Sequence, residues 1–531
     1  MLSISRRELL LTGLLAGCDV KPAELQGGWV GAHADRGHRL RIELPRPGDG
    51  PLRRTKVLIV GGGVSGLACA RALARAGVDD VALLELEDEA GGNARGHQMA
   101  GMACPLGAHY LPLPGPQASE VYRLLEDFGL VRQQLGRAVY DERQLCHAPQ
   151  ERLFFEGQWR DGLLPPAVKA STRAQYQRFA MAVSAAQKNL GFAMPSFRAP
   201  WSAAHAALDA QTFAAWLDAQ ALTDPQLRWY LDYCCRDDYG ATAAEVSAWA
   251  GLHYFASRHG FHPPGDEVAE REAVLTWPEG NAYLTRRMAG ELGGRIHSGR
   301  TVLQVQAQKH QVEVLAWNEA SQAPERWAAQ QVVLATPLFI AARLLAEPPE
   351  ALKQAAQQLR YAPWLVANLQ LKAPLLDRLG APPAWDNVAY GTLGSSTSLG
   401  YVDASHQRLN PSRGATVLTA YWALPRAERP ALLQSSWQTW AQRLVADLQG
   451  LHPDLPQQLA RIDLMRWGHA MSIPLPGVRS SPALAALREP PTRRLHFAHS
   501  DLAGYSVFEE AYTQGVRVAQ RVISRATRSG A

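Results

Sequence analysis

The sequence predicts an α/β protein built on a Rossmann-like nucleotide-binding unit. Three observations point there. Lys56-Val57-Leu58-Ile59-Val60 is a short apolar run, rich in Val and Ile, of the kind that forms a strand buried on both faces. Gly61-Gly62-Gly63-Val64-Ser65-Gly66 and an Ala- and Leu-rich helical stretch follow it directly. A second apolar strand, Val81 to Leu84, then ends in Glu85, 24 residues after Gly61.

Each part of this unit has a chemical reason. Gly61 permits the tight turn, Gly63 lets a pyrophosphate approach the backbone, and Gly66 lets the helix pack on the strand. The helix N-terminus, at Val64 and Ser65, offers free N–H groups and partial positive charge to phosphate. Gly77 is placed to end the helix in a left-handed conformation. Glu85 can accept hydrogen bonds from both hydroxyls of an adenosine ribose, and its charge argues against a 2′-phosphate. A lone glycine-rich turn carries little weight, but strand, turn, helix, strand and terminal acid in that order specify a dinucleotide site.

Composition bounds the rest. At 531 residues the chain can hold two domains, each with its own core. Hydrophobic content of 47% with 19% charged residues is that of a globular protein. The net charge of +5, without a basic run interleaved with aromatics, argues against a nucleic-acid partner. Fifteen Trp suit a large flat ligand or an apolar substrate as well as a core.

Val57 to Asn93 resembles the N-terminal FAD fingerprint of the flavin-containing amine oxidase superfamily, which includes monoamine and polyamine oxidases, protoporphyrinogen oxidase and carotenoid desaturases. The family pattern continues from the ribose acid to a Gly-Gly pair, matched by Gly91-Gly92, and then usually to Arg, where this chain has Asn93. Leu106-Gly107-Ala108-His109-Tyr110 resembles the family loop Leu-Gly-Ala-Asn-Trp that runs along the flavin. Trp277 to Leu284 resembles a glycine-rich helix entry beside the ring. Thr301 to Val305 and Gln331 to Pro337 resemble the second crossing of the FAD domain, with the Val302 backbone at adenine. Leu495 to Gly515 resembles the C-terminal FAD motif, with Asp501 on the cofactor linker and the Ala511 and Tyr512 backbone near flavin O2. The implied fold is a Rossmann-like FAD-binding domain with an inserted α+β substrate domain. The FAD domain falls in residues 55–115, 270–345 and 455–525, and the substrate domain in 116–269 and 346–454. Within the latter, Ser119 to His262 reads mainly helical, and Val366 to Leu371 and Thr416 to Trp422 alternate like half-buried strands.

The resemblance also sets expectations for chemistry. Many of these oxidases carry a Lys that holds a water at flavin N5; the matching position falls near Val366, where there is none. Their two aromatic rings around the amine match Met471 and Val507, neither aromatic, whereas Trp467, His469, Phe508 and Tyr512 are close enough to form a different wall. No Cys lies near Met471, which implies non-covalent FAD. His109 is the candidate base, since an imidazole with pKa near 6.5 can take a proton at neutral pH, and Trp467 is the candidate wall beside it. Three readings stay open: oxidation of an amine by hydride transfer, dehydrogenation or desaturation of an apolar membrane-derived substrate, and a non-catalytic FAD-bearing redox partner.

Residues 1–18 read as an address. Ser5-Arg6-Arg7-Glu8-Leu9-Leu10 resembles a twin-arginine export signal, and Leu15-Ala16-Gly17-Cys18 a bacterial lipobox, which implies lipid on Cys18. Asp19 resembles a signal for inner-membrane retention, so the expected location is the periplasmic side of that membrane. The twin-arginine route carries folded proteins, consistent with FAD loading before export. Residues 19–54 form an arm whose middle, Trp29 to His33 and Gly37 to Arg41, is expected to pack as a strand pair. His33 and His38 have no third metal ligand nearby in sequence, so no metal site is expected. Cys104 and Cys146 could pair outside the cytoplasm, which sequence leaves open.

Overall fold

The computed structural model describes residues 25–41, 50–263, 273–391, 397–407 and 414–529. Signal and lipobox lie outside the described residues, as does Asp19.

Two sheets organise the chain. In the first, strand Leu52–Val60 lies between Val81–Leu84 and Ala323–Leu334, parallel to both, with Val57 opposite Val81 and Gln331. The antiparallel strands Arg300–Ala307 and Val312–Asn318 extend it on one side, and Leu495–Phe497 pairs in parallel with Ala323–Leu334. Leu58, Ile59, Val332 and Val333 are fully buried, as strands covered on both faces require. Helix Val64–Arg75 follows the glycine turn and packs against the C-terminal helix Phe508–Ser529. That contact is close: a Cβ on Gly515 would lie 2.1 Å from the Ser65 carbonyl oxygen, and one on Gly66 1.9 Å from that of Gly61. Gly77 takes φ +78°, the left-handed end expected of it.

The second sheet has eight strands among the described residues and is centred on Tyr361–Leu371, which runs antiparallel to both its neighbours, Thr416–Ala423 and Leu459–Ser472. Helices Ala170–Asn189, Pro225–Tyr239 and Ala248–Ala256 supply the core on one face. Trp437–Gln449 covers the other. Pro225–Tyr239 starts as its sequence directs: Asp224 Oδ1 accepts the N–H groups of Gln226 and Leu227 at 3.0 and 3.1 Å, with Pro225 in the first turn.

Three expectations are corrected. The stretch from Ser119 to His262 is not mainly helical near its start: Val131–Gln134, Arg137–Tyr140, Glu151–Phe155 and Gln158–Asp161 are strands, two of which complete the eight-stranded sheet. Helix Ser119–Asp127, expected in the substrate domain, buries Val121, Leu124 and Leu125 in the core that holds the fingerprint helix. In the arm, Gly27–Trp29 is a strand, but Ala34–His38 and Arg39–Arg41 are helical turns, because this piece docks through side chains rather than through a ladder. Cys104 and Cys146 are both free thiols. Among the described residues, no helix is long and apolar enough to cross a membrane.

Candidate active site

A cavity of about 490 Å³ runs from Glu85 and Val302, past the glycine turn and the Gly107–His109 loop, to a chamber between the two sheets. At one end lie Glu85, Arg300, Thr301 and Val302, in the middle Gly61 to Ser65 with Gly92 and Asn93, and at the far end Val366, Tyr421, Trp467, Met471 and Asp237.

The turn is built backbone against backbone. Gly61 takes φ +102°, and a Cβ there would lie 2.8 Å from the Ala335 carbonyl oxygen. The Gly91 N–H donates to the Gly62 carbonyl at 2.8 Å, and a Cβ on Gly92 would meet Gly63 Cα at 3.0 Å. Glu85 is buried, and its carboxylate accepts the Gly62 N–H at 2.7 Å and the Glu87 N–H at 2.8 Å. Burial raises its pKa, and those two bonds oppose the rise. Each carboxylate oxygen retains acceptor capacity for a ribose hydroxyl. Ser65 turns its hydroxyl away to the Ala511 carbonyl, at 2.6 Å, and so ties the two helix N-termini together.

The remaining elements converge on this line. The Ala108 N–H donates to the Asn93 carbonyl at 2.9 Å, and the Asn93 side chain donates to the Ala470 carbonyl. A Cβ on Gly107 would lie 2.2 Å from that Asn93 oxygen. Asn281, entering helix Ala282–Leu292, donates from its backbone to the Ala108 carbonyl at 3.0 Å and from its side chain to the Tyr110 carbonyl at 2.9 Å. Asp501 is fully buried and accepts from Tyr361 Oη at 2.6 Å and the Leu338 N–H at 2.9 Å. Burial pushes its pKa up, but His499 and these donors outweigh it and hold the carboxyl below its usual range. Thr301, Thr336 and Asn281 each keep one buried side-chain oxygen without a hydrogen-bond partner. A dinucleotide with hydroxyls and phosphates suits that donor and acceptor set, and among the described residues no Cys lines the cavity.

His109 and Trp467 both reach the cavity. The Trp467 indole N–H donates to the Leu106 carbonyl at 2.7 Å, and the Arg95 guanidinium lies 5.6 Å from its ring centre. His109 stacks on Tyr421, with ring centres 4.3 Å apart, and touches Tyr110 and Trp385. Its expected titration near neutrality does not hold: burial lowers its pKa to about 3, against a smaller opposing effect of its bond to Gly107. Val366, Met471, Val507, Phe508 and His469 line the cavity. Tyr512 does not: its ring lies in the core around the fingerprint helix, near Arg71, and its neighbour Ala511 lines the cavity in its place.

Sequence reasoning missed the acidic end of the chamber. Asp237 and Asp238 line it with Arg258 and Glu509. Asp238 pairs with Arg258 at 3.0 Å, and Asp237 accepts from Tyr110 Oη at 3.1 Å. Burial first, then the Asp238 charge, raises Asp237 to about 6, and burial raises Glu509 to about 7. The Cys234–Gly240 segment held the signal, two adjacent acids after Arg236, but helix caps and an ordinary core ion pair would read the same.

The family model for flavin-containing amine oxidoreductases matches residues 64–523. The chain belongs to that family. That family's members contain flavin. Polyamine oxidase 1 of Oryza sativa is 37% identical over 93 residues, 17% of this chain and 18% of that protein. The chain's curated relatives are matched over 22% of their length or less. Putrescine oxidase bound to putrescine superposes with a TM-score of 0.67 at 20% identity, covering 89% of this chain and all of that one. A fatty acid isomerase from P. acnes gives 0.61 at 13% identity, covering 88% and 98%. The shared fold therefore leaves the substrate open.

Proposed function

We propose that the protein oxidises an amine by removing a hydride from the carbon next to nitrogen. The observation that carries this reading is the chamber beyond the Gly107–His109 loop, which pairs aromatic walls with a half-buried carboxylate, Asp237. Bound along the cavity without a covalent link, FAD supplies the two-electron hydride acceptor. Tyr421, the neutral His109 imidazole and Trp467 form the apolar walls that exclude water and hold the substrate. Asp237, oriented by Tyr110, attracts an ammonium and takes its proton, leaving the free amine that hydride loss requires.

Magnitudes favour Asp237 over His109 as that acceptor. An alkyl ammonium has a pKa near that of Lys, about 10.4. Transfer to a group of pKa about 3 runs uphill by roughly 10 kcal/mol, and to one of about 6 by roughly 6 kcal/mol. The carboxylate also gains attraction to the cation in a low-dielectric chamber, which a neutral imidazole does not. We place the mature protein on the periplasmic face of the inner membrane, exported folded and held by lipid on Cys18, on the strength of Arg6-Arg7 and Leu15 to Cys18.

The test is anaerobic mixing of the purified protein with primary amines, diamines and nitrogen-free lipophilic substrates while the visible flavin band is followed. Amines should bleach it. Bleaching by fatty acids or isoprenoids alone would overturn the reading, and bleaching only by chemical reductants would mark a redox partner.

A further inference from the structure

The arm ahead of the family-matched residues reaches the cavity at Gly37 and Leu40. It begins on the substrate-domain sheet: Gly27–Trp29 adds a parallel strand to the edge of Leu459–Ser472, with Gly27 opposite Ile462 and Trp29 opposite Leu464. The Val30 N–H donates to the Leu464 carbonyl at 2.9 Å, and Arg466 lies 4.7 Å over the Trp29 ring. The chain then crosses to the FAD domain through Gly31, at φ +80°, where a Cβ would lie 2.7 Å from the Leu106 side chain.

On the far side it grips the segment that carries the ribose acid. His33 Nδ1 meets the Glu87 carboxylate at 2.6 Å, and its backbone N–H also donates to that group at 3.1 Å. Arg36 donates to the Leu86 carbonyl at 2.9 Å and to Asp88 at 2.8 Å. Arg39 forms a two-pronged pair with Glu319 at 3.1 and 3.0 Å while lying 4.8 Å over Trp317. Beside these anchors, Gly37 and Leu40 line the cavity itself, and Leu40 packs on the apolar cluster containing Val302 and Leu344.

We propose that residues 25–41 form a strap over the adenosine half of FAD. Leu40 and Gly37 supply one wall of the adenine pocket, and the ion pairs at Arg36 and Arg39 keep it shut. The dinucleotide then leaves only when the arm lifts from the FAD domain. Three features fit that role: the arm bridges both sheets, its grip on the FAD domain is ionic and therefore reversible, and its Gly37 and Leu40 line the cavity.

This inference rests on the cofactor and is independent of the substrate. The experiment follows release of FAD from the holoenzyme by its fluorescence after dilution. The double substitution Arg36→Ala with Arg39→Ala should release FAD roughly three- to thirtyfold faster than wild type, the effect of losing two partly exposed pairs. Arg36→Asp alone should do the same, and Arg36→Asp combined with Asp88→Arg should restore slow release, which separates the strap from general destabilisation. Leu40→Ser should speed release without touching a charge. Bound FAD should also slow tryptic cleavage after Arg36 and Arg39 relative to the flavin-stripped protein. Wild-type release from the double variant, or equal cleavage with and without FAD, overturns the strap. Absence of FAD from the wild-type protein would instead strike the cofactor assignment.

Discussion

Replacing Glu85 with Gln tests the cofactor site with the smallest possible change. The side chain keeps its shape, but one of two carboxylate oxygens becomes an NH₂. In the folded protein each oxygen already accepts a backbone N–H, from Gly62 at 2.7 Å and from Glu87 at 2.8 Å. The amide can accept only one of them, so one buried donor loses its partner, at a cost of about 1–3 kcal/mol in stability. Toward FAD, a charge-assisted bond to a ribose hydroxyl becomes a neutral one, a loss of about 1–2 kcal/mol, or roughly five- to thirtyfold in Kd. Titration of the flavin-stripped protein with FAD, followed by fluorescence quenching, measures that ratio. Because burial raises the Glu85 pKa, wild-type affinity should also fall on acidification, beginning above the usual carboxylate range, and the Gln variant should not show that fall. A Kd within twofold of wild type with an unchanged pH profile would refute the ribose role.

Acid precipitation should release all flavin into the supernatant, and yellow colour kept by the pellet would contradict the non-covalent assignment. Asp237→Asn should leave FAD bound yet slow flavin reduction by amines about 10²- to 10⁴-fold, the usual range for a lost general base, and abolish the acid limb near pH 6, whereas His109→Asn should keep that limb. Glu509 has its pKa raised from 4.5 to about 7, so the folded state holds its proton more tightly than the unfolded state. Stability is thus fully present below pH 4.5 and is lost as pH rises through 7, by roughly 3 kcal/mol. Chemical denaturation of Glu509→Gln should accordingly show the variant more stable at pH 8 and equal at pH 4. Replacing Arg6 and Arg7 together by Lys should hold the chain in the cytoplasm, and fractionation that finds it exported would remove the twin-arginine assignment.

The fingerprint was legible because its constraints are local. Gly61, Gly66 and Glu85 are fixed by backbone geometry within one strand–turn–helix–strand unit, and the structure gives each the contact its residue type implies. Asp501, Gly107 and Val302 were reachable only through resemblance; the Asp501 carboxylate, for one, meets the Leu338 N–H and the Tyr361 hydroxyl 163 and 140 residues away. The substrate chamber was less legible still. Tyr421 meets His109 across 312 residues of chain, and no periodicity encodes that. The pKa of His109 depends on burial, which the ordinary imidazole value ignores. The arm misled for a related reason: Gly37 to Arg41 alternates weakly, but Arg36 and Arg39 follow the positions of Asp88 and Glu319, which a strand reading cannot see.

The central claim is that the hydride leaves a carbon bonded to nitrogen, and product stoichiometry under anaerobic single turnover tests it most directly. Holoenzyme is mixed with a limiting primary amine, the loss of oxidised flavin is read from the visible band, and the carbonyl product is trapped with a hydrazine. Loss of a hydride and a proton from the amine gives an imine, and water converts that to aldehyde and ammonia. One aldehyde and one ammonia should appear for each flavin reduced. Flavin reduction by a nitrogen-free substrate, or reduction by an amine with no carbonyl formed, would contradict the account.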